Sequence, residues 1–143
     1  MKTIELTLKN MERTSRYLKE LIRLKKSHPE GIFSTKFFSE KFEVHPSTVT
    51  EHFQKMQELE LVEYRKYKGI KLTEYGEKVG LLLMRNHRVL EFFFNSILGL
   101  TQVEACEEAD RIDLFISKKV IDKLCTICEH PDTCPCGNDI YHH

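Results

Sequence analysis

Apolar residues recur at helical spacing in the first part of the chain, between about Leu8 and Lys26, with lysine and arginine between them. This pattern predicts an amphipathic helix. Its apolar stripe consists of Tyr17, Leu18, Leu21, Ile22 and Leu24. Proline and glycine within residues 28–31 end the helix.

Two short helices joined by a tight turn are predicted next. Ser34 and Thr35 are suited to cap the first helix, which carries phenylalanines, and residues 43–46 form the turn. The second helix begins at His45 or Ser47. Its predicted buried stripe consists of Val49, Phe53, Met56 and Leu59. Such a pair is a candidate helix-turn-helix.

A β-hairpin is predicted directly after this helix pair. Apolar and charged residues alternate over residues 61–67, where Tyr64 and Tyr67 are counted with the apolar positions. The chain turns at Lys68 and Gly69 and returns over residues 70–72. We interpret the hairpin as a two-stranded wing, which makes the first half a winged helix.

The second half of the chain predicts helices only. A long helix starts at Thr73, with an irregularity expected near Asn86, and two more run over residues 103–115 and 118–128, the last capped by Ser117. The long helix is too apolar for a lone surface helix, so we expect a second copy of the chain to cover its apolar face. That face consists of Leu81, Leu82, Met84, Leu90, Phe93, Phe94 and Ile97. The predicted fold class is mainly α with a small β-wing.

The net charge of zero conceals two halves of opposite sign. Residues 1–80 hold 16 Lys and Arg against 12 acidic residues, and residues 81–143 hold 6 against 10. A basic half suits DNA and an acidic half suits a cation. The charged N-terminus, and the lack of any apolar run near the roughly 18 residues of a membrane span, argue against export and membrane insertion. We therefore expect a cytoplasmic protein.

The order of elements and four sequence motifs resemble the iron- and manganese-dependent repressor family, typified by the diphtheria toxin repressor and the manganese transport regulator, in its short two-domain form. The resemblance covers nearly the whole chain. Its motifs are VHPSTVTEHFQKMQELELVEYRKYKGIKLTEYGEKVG (residues 44–80), NHRVLEFF (86–93), EADRID (108–113) and CPCGNDI (134–140).

This resemblance implies a domain organisation and a function. Residues 1–75 would form a winged-helix DNA-binding domain, and residues 76–143 a helical dimerisation and metal-binding domain with a cysteine-rich tail. The expected protein is a homodimeric, metal-responsive repressor that binds a pseudo-palindromic operator in double-stranded DNA.

Residues suited to DNA contact lie at the start of the second short helix and on the wing. Small hydroxylated side chains fit against phosphates and base edges, and glutamine and lysine reach further. Basic wing residues suit phosphate contact, which fixes register without reading sequence. The predicted DNA-binding residues are Ser47, Thr48, Thr50, Gln54, Lys55, Arg65, Lys66 and Lys68.

Five residues of the second half have the side chains and spacing of metal ligands. His87 and Glu91 are one helical turn apart, and Cys106, Asp110 and Asp113 share a face of the next helix. This mixture suits Fe(II), Mn(II), Co(II) or Zn(II), and the thiolate favours the softer ions. By resemblance, the first two residues and Cys106 occupy one of the family's two metal positions, while Asp110 and Asp113 match ligands of the other.

The chain departs from the family where the first helix normally contributes ligands, because Arg16 and Lys19 stand there, and Leu114 replaces a common histidine. One interpretation is that Arg16 and Lys19 form salt bridges with Asp110 and Asp113 in place of a metal. Only the position at His87 would then respond to metal.

The cysteines are concentrated at the end of the chain: all five follow residue 100, and four fall within twelve residues, namely Cys125, Cys128, Cys134 and Cys136. In a reducing cytosol this clustering favours metal binding over disulfides. A loop kinked by Pro131 can fold the last two back onto the first two. Four thiolates suit structural Zn(II) or an iron-sulfur cluster. The alternatives are buried unpaired thiols and reversible disulfides.

Two classes of function fit these features. A DNA-binding transcriptional regulator is favoured by the basic wing and the Ser/Thr-rich helix start, whereas the neutral overall charge favours a winged-helix protein-interaction or redox module that does not bind DNA. The sequence contains no nucleophile–base pair, phosphate loop or HExxH motif, so we predict that the protein is not an enzyme.

Overall fold

The computed structural model describes residues 2–28, 30–135, 137, 139 and 140. Over these residues the chain forms helices and a two-stranded sheet, in two compact units, residues 1–80 and 81–143. The elements in chain order are α1 (Lys2–Lys25), α2 (Thr35–Phe42), α3 (Pro46–Glu58), β1 (Val62–Arg65), β2 (Gly69–Leu72), α4 (Glu74–Ser96), α5 (Gln102–Ile112) and α6 (Lys118–Ile127). The predicted fold class is confirmed, although α1 begins six residues before the predicted start.

Helices α2 and α3 form the predicted helix-turn-helix, and each is capped by the side chain of the residue directly before it. The Ser34 hydroxyl accepts a hydrogen bond from the Phe37 backbone N–H, at 3.1 Å. Glu43 adopts a left-handed conformation, with φ of 53°, and ends α2. The His45 imidazole Nδ1 then accepts the Ser47 N–H at 3.2 Å, so His45 is the cap of α3. These local bonds satisfy backbone donors that a helix start leaves open.

Aromatic rings fill the core of the first unit. The ring of Phe38 is fully buried and lies 5.0 Å from that of Tyr17 and 5.3 Å from that of Phe53, both edge-on. Truncating such a ring to alanine costs about 3–5 kcal/mol. Leu59, predicted to be buried on α3, is instead 58% exposed, because α3 ends at Glu58 and the chain turns there.

Strands β1 and β2 pair antiparallel as the predicted wing, from Val62 opposite Leu72 to Arg65 opposite Gly69. Phe33 adds a bridge to Ile70 through two backbone hydrogen bonds of 2.9 Å. Gly69 has φ of 118°, and a Cβ there would lie 2.0 Å from the Phe33 carbonyl oxygen. Only glycine fits this close approach, and the wing is thereby fixed to the segment that leads into α2.

The second unit is helical, and its longest helix is unbroken. The irregularity predicted near Asn86 is wrong, because α4 runs continuously from Glu74 to Ser96. Thr101 and Glu104 form a reciprocal capping box at the start of α5, and Ser117 caps α6. The buried core of this unit consists of Val89, Leu90, Ala109, Ile121, Cys125, Cys134 and Ile140. No helix in the described part of the chain is long and apolar enough to cross a membrane.

The predicted apolar face of α4 is only partly exposed. Leu81, Leu82 and Ile97 are 37%, 50% and 54% exposed, as a partner-binding face requires. The side chains of Met84 and Leu90 are buried within the chain instead, so their assignment to this face is wrong. A helix packed on more than one side has a narrower free stripe than its composition indicates.

His52 of α3 faces the core of the first unit, where it is almost completely buried. Burial, together with the positive charges of Arg13 and Lys55, lowers the pKa of His52 from 6.5 to about 4. The Thr14 hydroxyl donates its one proton to the Asn10 carbonyl. Its oxygen therefore accepts from Nε2 of His52, at 2.8 Å, and this bond ties α1 to α3.

The neutral state of His52 predicts a pH dependence of folding stability. Because the folded pKa lies below the unfolded value, the unfolded state binds more protons between these two pKa values, and stability falls as pH drops from about 6.5 towards about 4. We expect the free energy of unfolding, measured in urea, to fall between pH 7 and pH 5 by about 1–2 kcal/mol more in the wild type than in His52→Gln. Glutamine retains an N–H donor for Thr14 but does not titrate. Equal losses in the two proteins would contradict the assignment.

Candidate metal centre and nucleic-acid interface

The imidazole of His87 is the centre of a cluster of five side chains in the second unit. Helix α4 supplies His87 and Glu91, four residues apart and so on one face. Helix α5 and its C-terminal residue supply Cys106, Asp110 and Asp113. The structure brings together all five residues named from the sequence, in two groups of three that share His87.

The Nε2 side of this imidazole has the spacing of a metal site. Nε2 lies 3.5 Å from the Cys106 sulfur and 3.4 Å from a Glu91 carboxylate oxygen. In tetrahedral coordination at ordinary zinc–ligand distances, nitrogen and sulfur donors are about 3.5 Å apart, and nitrogen and oxygen donors about 3.4 Å. The three donor atoms are therefore spaced to bind one ion.

The Nδ1 side of the imidazole faces two carboxylates. Nδ1 lies 3.2 Å from an Asp113 oxygen and 3.3 Å from an Asp110 oxygen. A neutral imidazole carries one N–H, so when Nε2 offers its lone pair to an ion, Nδ1 donates its proton to a carboxylate. Asp113 is completely buried, and the Asn86 side chain donates to its backbone carbonyl at 3.0 Å. This contact holds the end of α5 against α4.

Arg16 and Lys19, two of the residues at which the chain departs from the resemblance, lie on α1. Lys19 is buried, and Arg16 is exposed and forms an ion pair with Glu12 at 3.1 Å. Their pairing with the carboxylates of the second unit stays a prediction.

The predicted DNA-binding residues of α3 lie in its first three turns, with the hydroxyl side chains at the start of the helix. Ser47, Gln54 and Lys55 are exposed, and the Ser47 hydroxyl oxygen lies 2.7 Å from Nδ1 of His45. Thr48 and Thr50 are half-buried, and the Thr50 hydroxyl donates to the Pro46 carbonyl at 3.1 Å. The start of α3 thus presents hydroxyl and amide groups at the surface.

The wing presents its cations at the tip. Arg65, Lys66 and Lys68 are all exposed; Arg65 lies 3.7 Å from Glu63, and the Lys66 ammonium lies 5.2 Å from the ring centroid of Tyr67. Tyr67 was predicted as a strand residue, but it occupies the turn with φ of 68° and is 93% exposed. In the sequence, the sign of this exposed position is that Tyr67 is a single aromatic residue between two lysines.

The cysteines of the tail are only partly described, because Cys136 lies outside the described residues. Cys125 and Cys134 are buried in one core, Cys128 is half-buried, and none of the three forms a disulfide with another described residue. Sequence reasoning missed His130, whose Nδ1 lies 3.4 Å from the Cys125 sulfur. Among the described residues, groups of three or more donor atoms within 4.8 Å of one another occur only around His87.

Comparison with known proteins matches both units to one family. The model of the iron dependent repressor N-terminal DNA binding domain matches residues 9–70. The model of the iron dependent repressor metal binding and dimerisation domain matches residues 73–142. The two matches follow one another along nearly the whole chain.

Individual relatives agree with the family models. The HTH-type transcriptional regulator MntR of Shouchella clausii is 35% identical over 86 residues, which are 60% of this chain and 59% of that protein. The structure of the manganese regulator SloR covers 91% of this chain and 60% of its own, with 31% identity and a TM-score of 0.79. The structure of ScaR with bound Zn2+ covers 90% of this chain and 59% of its own, with 31% identity and a TM-score of 0.70.

These alignments span about three fifths of each of those three relatives. Two of these relatives, MntR and SloR, are described as regulators, which supports the prediction that this chain is not an enzyme. The shared order of elements, the two consecutive family models and the fold similarity lead to one conclusion: the chain belongs to the iron-dependent repressor family.

Proposed function

We propose that this protein is a metal-responsive, DNA-binding transcriptional repressor that acts as a homodimer. The observation that carries the proposal is the buried cluster around His87, with donor atoms at ligand spacing, in the same chain as a helix-turn-helix with a basic wing. The family models are described as a DNA binding domain and a metal binding and dimerisation domain, and they support the same function.

The DNA contacts proposed here follow from exposure and charge. Helix α3 would enter the major groove with Ser47, Thr48 and Thr50 near phosphates and base edges, and with Gln54 and Lys55 further along. Cations at the wing tip would contact phosphates, a sequence-independent interaction. The combination of groove reading and phosphate contact is what a sequence-specific regulator requires.

Dimerisation is supported by apolar side chains that the second unit leaves on its surface. A contiguous apolar surface is a common sign of a protein interface. The exposed residues, each 45–67% exposed, are Leu82, Ile97, Leu98, Val103, Phe115, Val120 and Ile127. A twofold dimer places two copies of α3 in symmetric positions, and its operator would therefore be a pseudo-palindrome in double-stranded DNA.

The metal proposed for this centre is a divalent transition ion held by Nε2 of His87, the Glu91 carboxylate and the Cys106 sulfur. The donor set of nitrogen, oxygen and sulfur fits Fe(II), Mn(II), Co(II) or Zn(II). When bound, the ion would link α4 to α5 through three protein ligands. Asp110 and Asp113 would hold the imidazole by accepting its Nδ1 proton, a role that sets ligand orientation in metal sites.

The cytoplasm is the compartment that we propose for this activity. A regulator of transcription must reach chromosomal DNA, and the thiol of Cys106 serves as a metal ligand only in its reduced form.

The wing assignment predicts a change in salt dependence. Replacing Arg65 and Lys68 together by alanine should weaken binding to all DNA sequences and lower the slope of log affinity against log salt by about 2, because each lost phosphate contact removes about 0.9. The measurement is a salt titration with operator and random duplexes. Lys123→Ala, an exposed cation on α6, is the control and should match the wild type. An unchanged slope in the double variant would overturn the wing contact, and no binding by any form would favour a module that does not use DNA.

The metal assignment predicts specific losses of affinity. Mn(II) binding, followed by the electron spin resonance of the free ion, should weaken by about 10- to 100-fold in Glu91→Gln and in Cys106→Ser, since each loses a ligand. Glu107→Gln, an exposed acid next to Cys106, is the matched control. A wild-type isotherm in Cys106→Ser would remove that thiol from the ligand set.

A further inference from the structure

The end of α6 reverses the chain so that His130 returns to Cys125. Glu129 and His130 both have left-handed backbones, with φ of 61° and 51°. Non-glycine residues adopt this conformation rarely, and two in succession are sterically costly. The His130 N–H donates to the Cys125 carbonyl at 2.8 Å, and this bond fixes the reversal.

The reversal gives a sulfur and a nitrogen donor the separation of two ligands on one ion. Nδ1 of His130 lies 3.4 Å from the sulfur of Cys125. Tetrahedral zinc with ordinary bond lengths places such a pair about 3.5 Å apart. Cys125 is buried and His130 is exposed, so the pair lies where the core of the second unit meets solvent.

Two further thiols lie near this pair. Cys128 follows Cys125 by one helical turn and is half-buried. Cys134 shares a buried core cluster with Cys125.

The loop that carries Cys134 is held in place by backbone hydrogen bonds. The Ile140 N–H donates to the Asp132 carbonyl, and the Gly137 N–H donates to the Cys134 carbonyl, each at 2.8 Å. The Arg88 guanidinium of α4 also donates to the Asp139 carbonyl. These bonds hold the described part of this loop so that Cys134 lies in the buried core cluster that also contains Cys125.

We propose that Cys125 and His130, completed by Cys128 and Cys134, bind one structural Zn(II) ion at the end of α6. Three sulfurs and one imidazole are a regular ligand set of structural zinc sites, whereas iron-sulfur clusters are held mainly by thiolates alone. Among the described residues no third donor atom lies within 4.8 Å of both atoms of the first pair, so zinc binding here would require the Cys128 and Cys134 side chains to rotate towards it. The ion would link α6 to residues 132–140, so its binding would stabilise the second unit.

This site is separate from the one at His87 and does not depend on it. The two ligand sets share no residue, and nothing in the proposal requires DNA binding. The two sites can therefore be tested independently in the same protein.

The experiment is a Zn(II) titration of the whole chain, purified without oxygen and stripped with a chelator, against a competing colorimetric chelator. The main variant is His130→Gln, because replacing an exposed residue disturbs folding less than replacing a thiol in the core. Cys125→Ser is the second variant. His28→Gln, an exposed histidine of the first unit, is the control. Thermal unfolding with and without Zn(II), and Mn(II) binding at the His87 centre, are measured on each protein.

We expect the wild type and the control to bind one Zn(II) equivalent that both variants bind at least about tenfold more weakly. The rise in Tm caused by Zn(II) should shrink in the same variants. Their Mn(II) isotherms should stay unchanged, since the His87 centre keeps all its ligands. Loss of Mn(II) binding in the wild type would overturn the proposed function and leave this site standing.

Three results would overturn the zinc site. Wild-type Zn(II) affinity and stoichiometry in both variants would reduce the pair to an ordinary thiol–imidazole hydrogen bond. Iron and sulfide in the unstripped protein, with visible charge-transfer absorption that Cys125→Ser abolishes, would replace zinc by an iron-sulfur cluster. A count of free thiols that is two below the five cysteines of the chain, before any metal is added, would replace the zinc site by a disulfide.

Discussion

An imidazole that is buried must find a partner for each of its two nitrogens, and in the second unit this requirement is met by two helices at once. His87 is almost wholly enclosed, and its ring faces Glu91 of its own helix as well as Cys106 and Asp113 of α5. A shift of one helix along the other would leave polar atoms buried without partners, which costs about 1–3 kcal/mol for each such group. The relative position of α4 and α5 is therefore specified by polar contacts, in addition to apolar packing.

The elements that local chemistry determines were predictable from the sequence. Ser34 and Ser117 cap their helices because a short hydroxyl satisfies an open backbone N–H, and this depends only on neighbouring residues. The clustering of side chains around His87 was predictable for a related reason. Helical spacing fixes which residues share a face, so once His87 and Cys106 lie on adjacent helices, their neighbours at four-residue spacing come with them.

Features that depend on tertiary contacts were not predictable in this way. Asn86 interrupts the apolar pattern of α4, and this interruption predicts an irregularity in the helix. Its side chain instead donates a hydrogen bond to the Asp113 carbonyl at the end of α5, so a polar residue fits within a regular helix. Leu59 matched the buried stripe of α3 by period, yet the helix stops just before it. His130 carried no signal because its position depends on the left-handed backbones of Glu129 and of His130 itself, and on the hydrogen bond from its N–H to the Cys125 carbonyl.

If the protein has the proposed function, the attachment of the wing at Phe33 has a consequence for the DNA that it would accept. Because Phe33 pairs with β2 just before α2 begins, two backbone hydrogen bonds join the wing to the start of the helix-turn-helix. A protein in which the distance between the recognition helix and the wing tip is fixed cannot adapt its own shape to each DNA site. The duplex must do so, and the cost of bending or twisting depends on the base steps being deformed. Flexible steps between the contacted positions would then contribute to operator choice, although no side chain reads them.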